Sequence, residues 1–104
     1  MNTIKEIKVL ENHFIVDYEA SSLKLKCKVE NDKYIIDISK MNLINATKTA
    51  IFCSTYCFIN NFKQTLCWIV ADEEIKRAIS ILRLKNVEQI VKEKVQKRKA
   101  VLAS

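Results

Sequence analysis

The residues able to do chemistry in this chain are four cysteines, a single histidine, a few carboxylates and two groups of lysines. Cys53 and Cys57 stand four apart, so on a helix they share a face, where two thiolates could ligate a metal. A tetrahedral site would also need Cys27 and Cys67 to converge from other elements, and no CxxC pair occurs. The plainer reading makes all four small buried hydrophobes in a reducing compartment. A nucleophilic Cys or Ser needs a base within hydrogen-bond reach, and the sole histidine, His13, falls in a predicted turn. Asp17, Glu19 and Asp37 could be paired for acid–base work. They fall among lysines on predicted strands, however, and read as solvated cross-strand partners. Glycine is absent, which excludes the phosphate-cradling loop, the dinucleotide fingerprint and the nucleophile elbow. The chain is therefore read as a non-enzyme, with no catalytic residue, metal, cofactor or small-molecule substrate.

Two basic features remain. Lys24, Lys26 and Lys28 alternate along one predicted strand, which sets them in a stripe on its exposed face. Lys92, Lys94, Lys97, Arg98 and Lys99 place five cations in eight residues of a predicted last helix. Each cation matched to a phosphate would release counterions and give salt-dependent binding. Against this, Lys26 has Asp37 opposite it, and Lys92 and Lys97 have glutamates at helical i, i+4 spacing. Of the aromatics that might stack bases, Tyr18, Phe62 and Trp68, the pattern turns Tyr18 inward.

These groups must be carried by some framework, and composition bounds it. At 104 residues one domain is expected, spanning residues 1–104. No stretch reaches about 18 uncharged apolar residues, the length of a spanning helix. The opening MNTIKEIKV has no apolar core of the signal-peptide kind, so a cytoplasmic protein is expected. Without Gly or Pro, tight turns with positive φ must fall to Asn or Asp. The net charge of +6 is uneven: seven basic and seven acidic groups cancel over residues 1–43, whereas residues 72–104 hold nine basic and five acidic ones. That asymmetry favours a polyanionic partner.

Hydrophobic periodicity then supplies the elements. Ile4–Leu10 and Phe14–Ala20 read as strands, and Leu23–Ile38 reads as a hairpin turning at Asn31–Asp32. In that register Val29 faces Tyr34, Cys27 faces Ile36 and Leu25 faces Ile38, while Glu30–Lys33 and Lys26–Asp37 pair on the other face. Leu43–Ile59 reads as a helix, with a small face of Ala46, Ala50, Cys53 and Cys57 and a bulky one of Ile44, Ile51, Phe52, Tyr56 and Ile59. A helix apolar all round must be covered on both sides. The sheet covers the small face, and either the later helices or a second chain covers Ile51, Phe52, Tyr56 and Ile59. Thr65–Val70 reads as a short strand. Asp72 caps a helix with the stripe Ile75, Ala78, Ile79 and Leu82, and Val87–Leu102 reads as a further helix. The expected fold is α+β: a four-stranded antiparallel meander over residues 1–40, a packed helix over 43–60, and two basic C-terminal helices over 72–104.

VENDKYIIDISKMNL followed by an amphipathic helix resembles, over about residues 22–59, the second half of the small dimerising subunit of the KEOPS tRNA-modification complex. That resemblance implies a non-catalytic scaffold whose helix serves self-association; the family's first strand and helix have no counterpart here. INATK at Ile44–Lys48 is similar to the opening of the KilA-N viral DNA-binding domain, without the glycines that usually follow. A four-stranded meander followed by a helix also looks like the coactivator/Whirly type of single-strand DNA-binding fold. None of the three carries a functional residue over. The expected function is a nucleic-acid-associated protein, DNA or RNA, dimeric or part of a complex, binding phosphates with low sequence specificity through Lys24, Lys26, Lys28, Lys94, Lys97, Arg98 and Lys99. The alternative is an adaptor or inhibitor that docks on a protein through the 43–59 helix.

Overall fold

The computed structural model of the chain describes residues 3–92. In chain order its elements are β1 (Ile4–Leu10), β2 (His13–Tyr18), β3 (Ser22–Glu30), β4 (Lys33–Asp37), α1 (Leu43–Ile59), β5 (Thr65–Val70), α2 (Glu73–Ser80) and β6 (Val87–Val91). They form one six-stranded sheet in sequence order with two helices.

Short turns make the first half antiparallel. The β3–β4 turn sits on Asn31 (φ 48°) and Asp32 (φ 63°), two successive left-handed residues that match the twist of a two-residue hairpin. Cys27 is paired with Ile36 and Val29 with Tyr34, so the inward and outward sets fall on opposite faces as the alternation predicts. Two other positive-φ positions, Glu11 (φ 54°) and Arg83 (φ 51°), are neither Asn nor Asp. The expectation that Asn and Asp would carry all such turns is therefore too narrow.

The second half departs further from expectation. The sheet has six strands and not four, and its last two pairings, β4–β5 and β5–β6, are parallel. Parallel neighbours need a crossover, and α1 and α2 are those crossovers. Crossovers of one hand that step in one direction leave successive helices on the same face of a sheet, and α1 packs beside α2. Asn42 caps α1 by accepting from the Asn45 N–H at 2.8 Å, and Asp72 caps α2 by accepting from the Ile75 N–H at 3.0 Å.

The predicted helix over Val87–Leu102 is corrected to a strand, β6, over its first five residues. Glu88 does not use Lys92 as a helical partner; it bridges Lys33 on β4 at 2.8 Å. Gln89 concealed the alternation. It lies opposite Trp68 on the helix-covered face, where its amide donates to the Lys76 carbonyl at 3.1 Å and to Ser80 Oγ at 2.9 Å. Residues beyond Lys92, including Lys94, Lys97, Arg98 and Lys99, lie outside the described residues. Leu82 is likewise outside the α2 stripe, 43% exposed after the helix ends at Ser80.

The core lies between the helices and one sheet face. Phe14, Val16, Ile36, Leu66, Trp68 and Val70 are fully buried there against Ala46, Ala50, Cys53 and Cys57 of α1. Small side chains on α1 let its backbone approach, which leaves room for the Trp68 indole. That ring meets Phe14 edge-on at 5.9 Å and donates from Nε1 to the buried Ser54 Oγ at 3.1 Å.

Candidate functional site

Strand alternation delivers one set of side chains to the helices and the other to a face that no helix covers among the described residues. Cross-strand neighbours arrange this open face in rows. One row runs Lys8, Ile15, Lys24; the next runs Leu10, His13, Lys26, and the β3–β4 register carries it on to Asp37, Ile69 and Ile90. A third runs Lys28, Ile35, Cys67, Glu88. Asn12, His13, Lys26, Lys28, Ile35, Asp37 and Ile69 thus border a shallow depression of about 590 Å³.

Its charges are not equally available. Lys8 is held by Asp17 at 3.7 Å, Lys28 by Glu30 at 2.8 Å and Lys33 by Glu88 at 2.8 Å. Lys24 and Lys26 have no carboxylate within ion-pair distance among the described residues, and both are exposed. Glu30 takes Lys28 on its own strand and not the expected Lys33. Asp37 is engaged locally. Partial burial pushes its carboxyl up, but hydrogen bonds from the Ser39 hydroxyl and N–H, with Lys92 and Lys26 nearby, outweigh this and hold it below the usual carboxylate range.

Among the described residues the face carries lysines, isoleucines and His13 but no Phe, Tyr or Trp ring. Trp68 is fully buried, and Tyr18, Tyr34 and Phe62 pack against the core from the other side. Stacking on bases is therefore unavailable to those rings, and among the described residues nucleic-acid contact from this face falls to cations, backbone and the His13 ring. Of the seven basic residues singled out from sequence, the structure brings together Lys24, Lys26 and Lys28; the other four are not described.

The second surface is the outer side of α1. Ile44 is 67% exposed, Phe52 44%, Phe58 55% and Ile59 68%, while Ile51 is half-buried. Tyr56 does not share this stripe: it turns toward β1, where its hydroxyl donates to the Lys5 carbonyl at 3.2 Å. Phe58 takes its place. Helix length explains why, since at 1.5 Å per residue α1 spans about 25 Å and α2 about 12 Å. α2 is too short to cover the whole of α1.

The cysteines do not converge. Cys27, Cys53 and Cys57 lie on the covered side, while Cys67, between inward-facing Leu66 and Trp68, points to the open face beside Glu88 and Lys33. All four are free and buried. Burial pushes Cys53 and Cys57 up to about 12, so both are protonated thiols at neutral pH, unsuited to nucleophilic attack. Among the described residues no group of three or more His, Cys, Asp or Glu gathers at ligand spacing, and no helix is long and apolar enough to cross a membrane.

Comparison with known protein families, characterised proteins and solved structures returns no match to this chain.

Proposed function

We propose that the protein is a non-catalytic, nucleic-acid-associated binding protein of the cytosol, and that its open sheet face engages phosphates. The observation that carries this reading is the pair Lys24 and Lys26 on β3. Both are exposed on a face without helical cover and neither has a carboxylate within ion-pair distance among the described residues. Two such lysines, two residues apart on one strand, lie about 7 Å apart, which matches the spacing of successive phosphates on an extended single strand. Specificity is low, because phosphate contacts position a partner without reading its sequence. Four free thiols fit a reducing compartment.

A filter-binding titration of the full chain against DNA and RNA, with salt raised from about 50 to about 200 mM, tests the reading. Affinity should fall steeply with salt, and Lys24→Gln with Lys26→Gln should reduce the log–log slope by about two. A flat response, or an unchanged slope in the double variant, overturns it.

A second reading is favoured by a separate observation. The outer stripe of α1 is apolar and exposed at Ile44, Phe52, Phe58 and Ile59, as expected of an adaptor or inhibitor that docks on a protein. The two readings use opposite sides of the molecule and are compatible.

A further inference from the structure

We propose that the flank of α1 turned away from α2 forms, with the β2–β3 end of the sheet, a binding site for a small aromatic molecule carrying one carboxylate.

The site follows from how two helices share a six-stranded sheet. α2 packs against one flank of α1 and over β5 and β6. On the other flank, above β2 and β3, no helix lies beside α1 among the described residues. At about 3.6 residues per turn, Asn45, Lys48, Thr49, Phe52 and Tyr56 fall within an arc of about 100° on that flank. Tyr56 reaches across to β1, where it donates to the Lys5 carbonyl at 3.2 Å. The other four form one wall of a cleft of about 720 Å³. That volume falls within the about 300–1,000 Å³ of small-molecule sites. Tyr18 and Leu23, half-buried on the helix-facing side of their strands, make the floor, and Met41 and the Ser21–Ser22 turn complete the rim.

The lining selects an aromatic body. Its apolar members are Leu23, Met41 and Phe52, and Phe52 is 44% exposed. A second ring can stack on Phe52 or meet it edge-on, and the Met41 thioether makes favourable contacts with ring edges.

Polar groups stand among these side chains without partners. The Tyr18 hydroxyl, the Asn45 side-chain amide and the Thr49 hydroxyl make no hydrogen bond among the described residues. Burial pushes the Tyr18 hydroxyl above its ordinary value, so at neutral pH it is a donor.

Charge then sets what the ring carries. Lys48 is the one cation of the lining, and it has no carboxylate within ion-pair distance among the described residues. No carboxylate lines the cleft. Asp17, at the end of β2, is occupied by Lys8 at 3.7 Å and by the Ser22 hydroxyl. One ammonium with neutral donors beside it matches the single charge and the two acceptor oxygens of a carboxylate. A phosphate monoester, with close to two charges at neutral pH, exceeds what Lys48 alone can balance. The cleft lies on the helix side of the sheet, so its occupant is distinct from the polyanion of the open face.

An amide NMR titration of the full chain with 2-naphthoate tests the site. The acid should bind with a dissociation constant of about 1 mM or tighter, and shifts should be largest at Ser21, Ser22, Asn45, Lys48 and Thr49. Lys48→Gln should weaken it about tenfold, to the level of the neutral 2-naphthamide on the wild type. Tyr18→Phe, which removes only a hydroxyl, should weaken it about threefold. Lys48 is exposed, so its variant should keep the wild-type spectrum elsewhere. Equal affinity for acid and amide, or an unchanged affinity in Lys48→Gln, overturns the carboxylate. Adenosine monophosphate bound more tightly than 2-naphthoate, with the same amides shifting, overturns the single charge. Shifts confined to Lys24, Lys26 and their neighbours, or no shifts at all, overturn the site.

Discussion

The two faces of this sheet are made from the same strands and differ in almost everything else. On the covered face, Phe14, Val16, Ile36, Leu66, Trp68 and Val70 exclude water completely, and Trp68 secures its one polar atom on Ser54. On the open face, Ile15, Ile35, Ile69 and Ile90 lie partly wet among lysines whose charges are in part neutralised by neighbouring carboxylates. One face stabilises the fold and, among the described residues, the other is left without helical cover. Adjacent residues on β5 can therefore have unlike consequences although they share a backbone.

Breaking that contrast starts at Trp68. Trp68→Ala should cost about 3–5 kcal/mol, from lost burial and from a cavity between α1 and the sheet. This is a large part of the about 5–15 kcal/mol that holds a typical domain together. Ile69→Ala, one residue on and half-buried on the open face, should cost about 1 kcal/mol. Urea unfolding of the two variants reads the difference directly. Equal costs would mean that something covers the open face in solution, and the comparison would fail.

The covered face has a chemical signature as well, because it buries three thiols, two of them on α1. Cys53 and Cys57 are pushed up to about 12, from an ordinary value of 9.0, chiefly by desolvation. An acid whose pKa is higher folded than unfolded keeps its proton more firmly in the native state. The stability it contributes is therefore whole below about pH 8.5 and is lost as the pH rises towards the folded value. Each thiol costs up to about 1.4 kcal/mol per pH unit over that window. Lysines titrate nearby, so the decisive quantity is the difference between wild type and Cys53→Ala: the variant should lose stability less steeply between about pH 9 and 11. A thiol reagent should meet no reactive cysteine in the native protein at neutral pH and four after unfolding. Prompt reaction at Cys27, Cys53 or Cys57 in the native protein would show that the covered face opens.

How much of this was legible in the sequence depends on whether local pattern or distant partners decided each element. The β3–β4 hairpin was legible because alternation, turn residues and cross-strand charges all agreed on one register. α1 has the predicted bounds, and its small face meets the sheet as expected. β6 was not legible. Its inward set contains Gln89, and its Glu88–Lys92 spacing mimics a helical pair whose glutamate is claimed by Lys33 from another strand. The parallel pairing of β5 was equally hidden, since the apolar run TLCWIV states that a strand is buried but not which way its neighbours run. On the candidate surfaces, the lysine stripe of β3 followed from alternation alone. The exposure of Phe58 did not, because it depends on how short α2 turned out to be.

The smallest effect expected is at Asp37, and it has the opposite sign from every other change on the open face. Its carboxylate lies in the row of Lys26 and is held ionised by Ser39, so throughout the neutral range it subtracts charge from the depression. Its folded pKa is lowered, so its contribution to stability is whole above about pH 4 and declines as the pH falls through the folded value. Asp37→Asn keeps an oxygen to accept from Ser39, so the loop stays in place and stability should fall only slightly. Affinity for a polyanion should rise a few-fold at low salt, and the gain should vanish as salt screens the face. Neutral loss of a charge at Lys26 and neutral loss at Asp37 would then move affinity in opposite directions from neighbouring positions on one row. If Asp37→Asn weakens binding instead, the carboxylate is itself a contact, and the depression recognises something other than a bare run of phosphates.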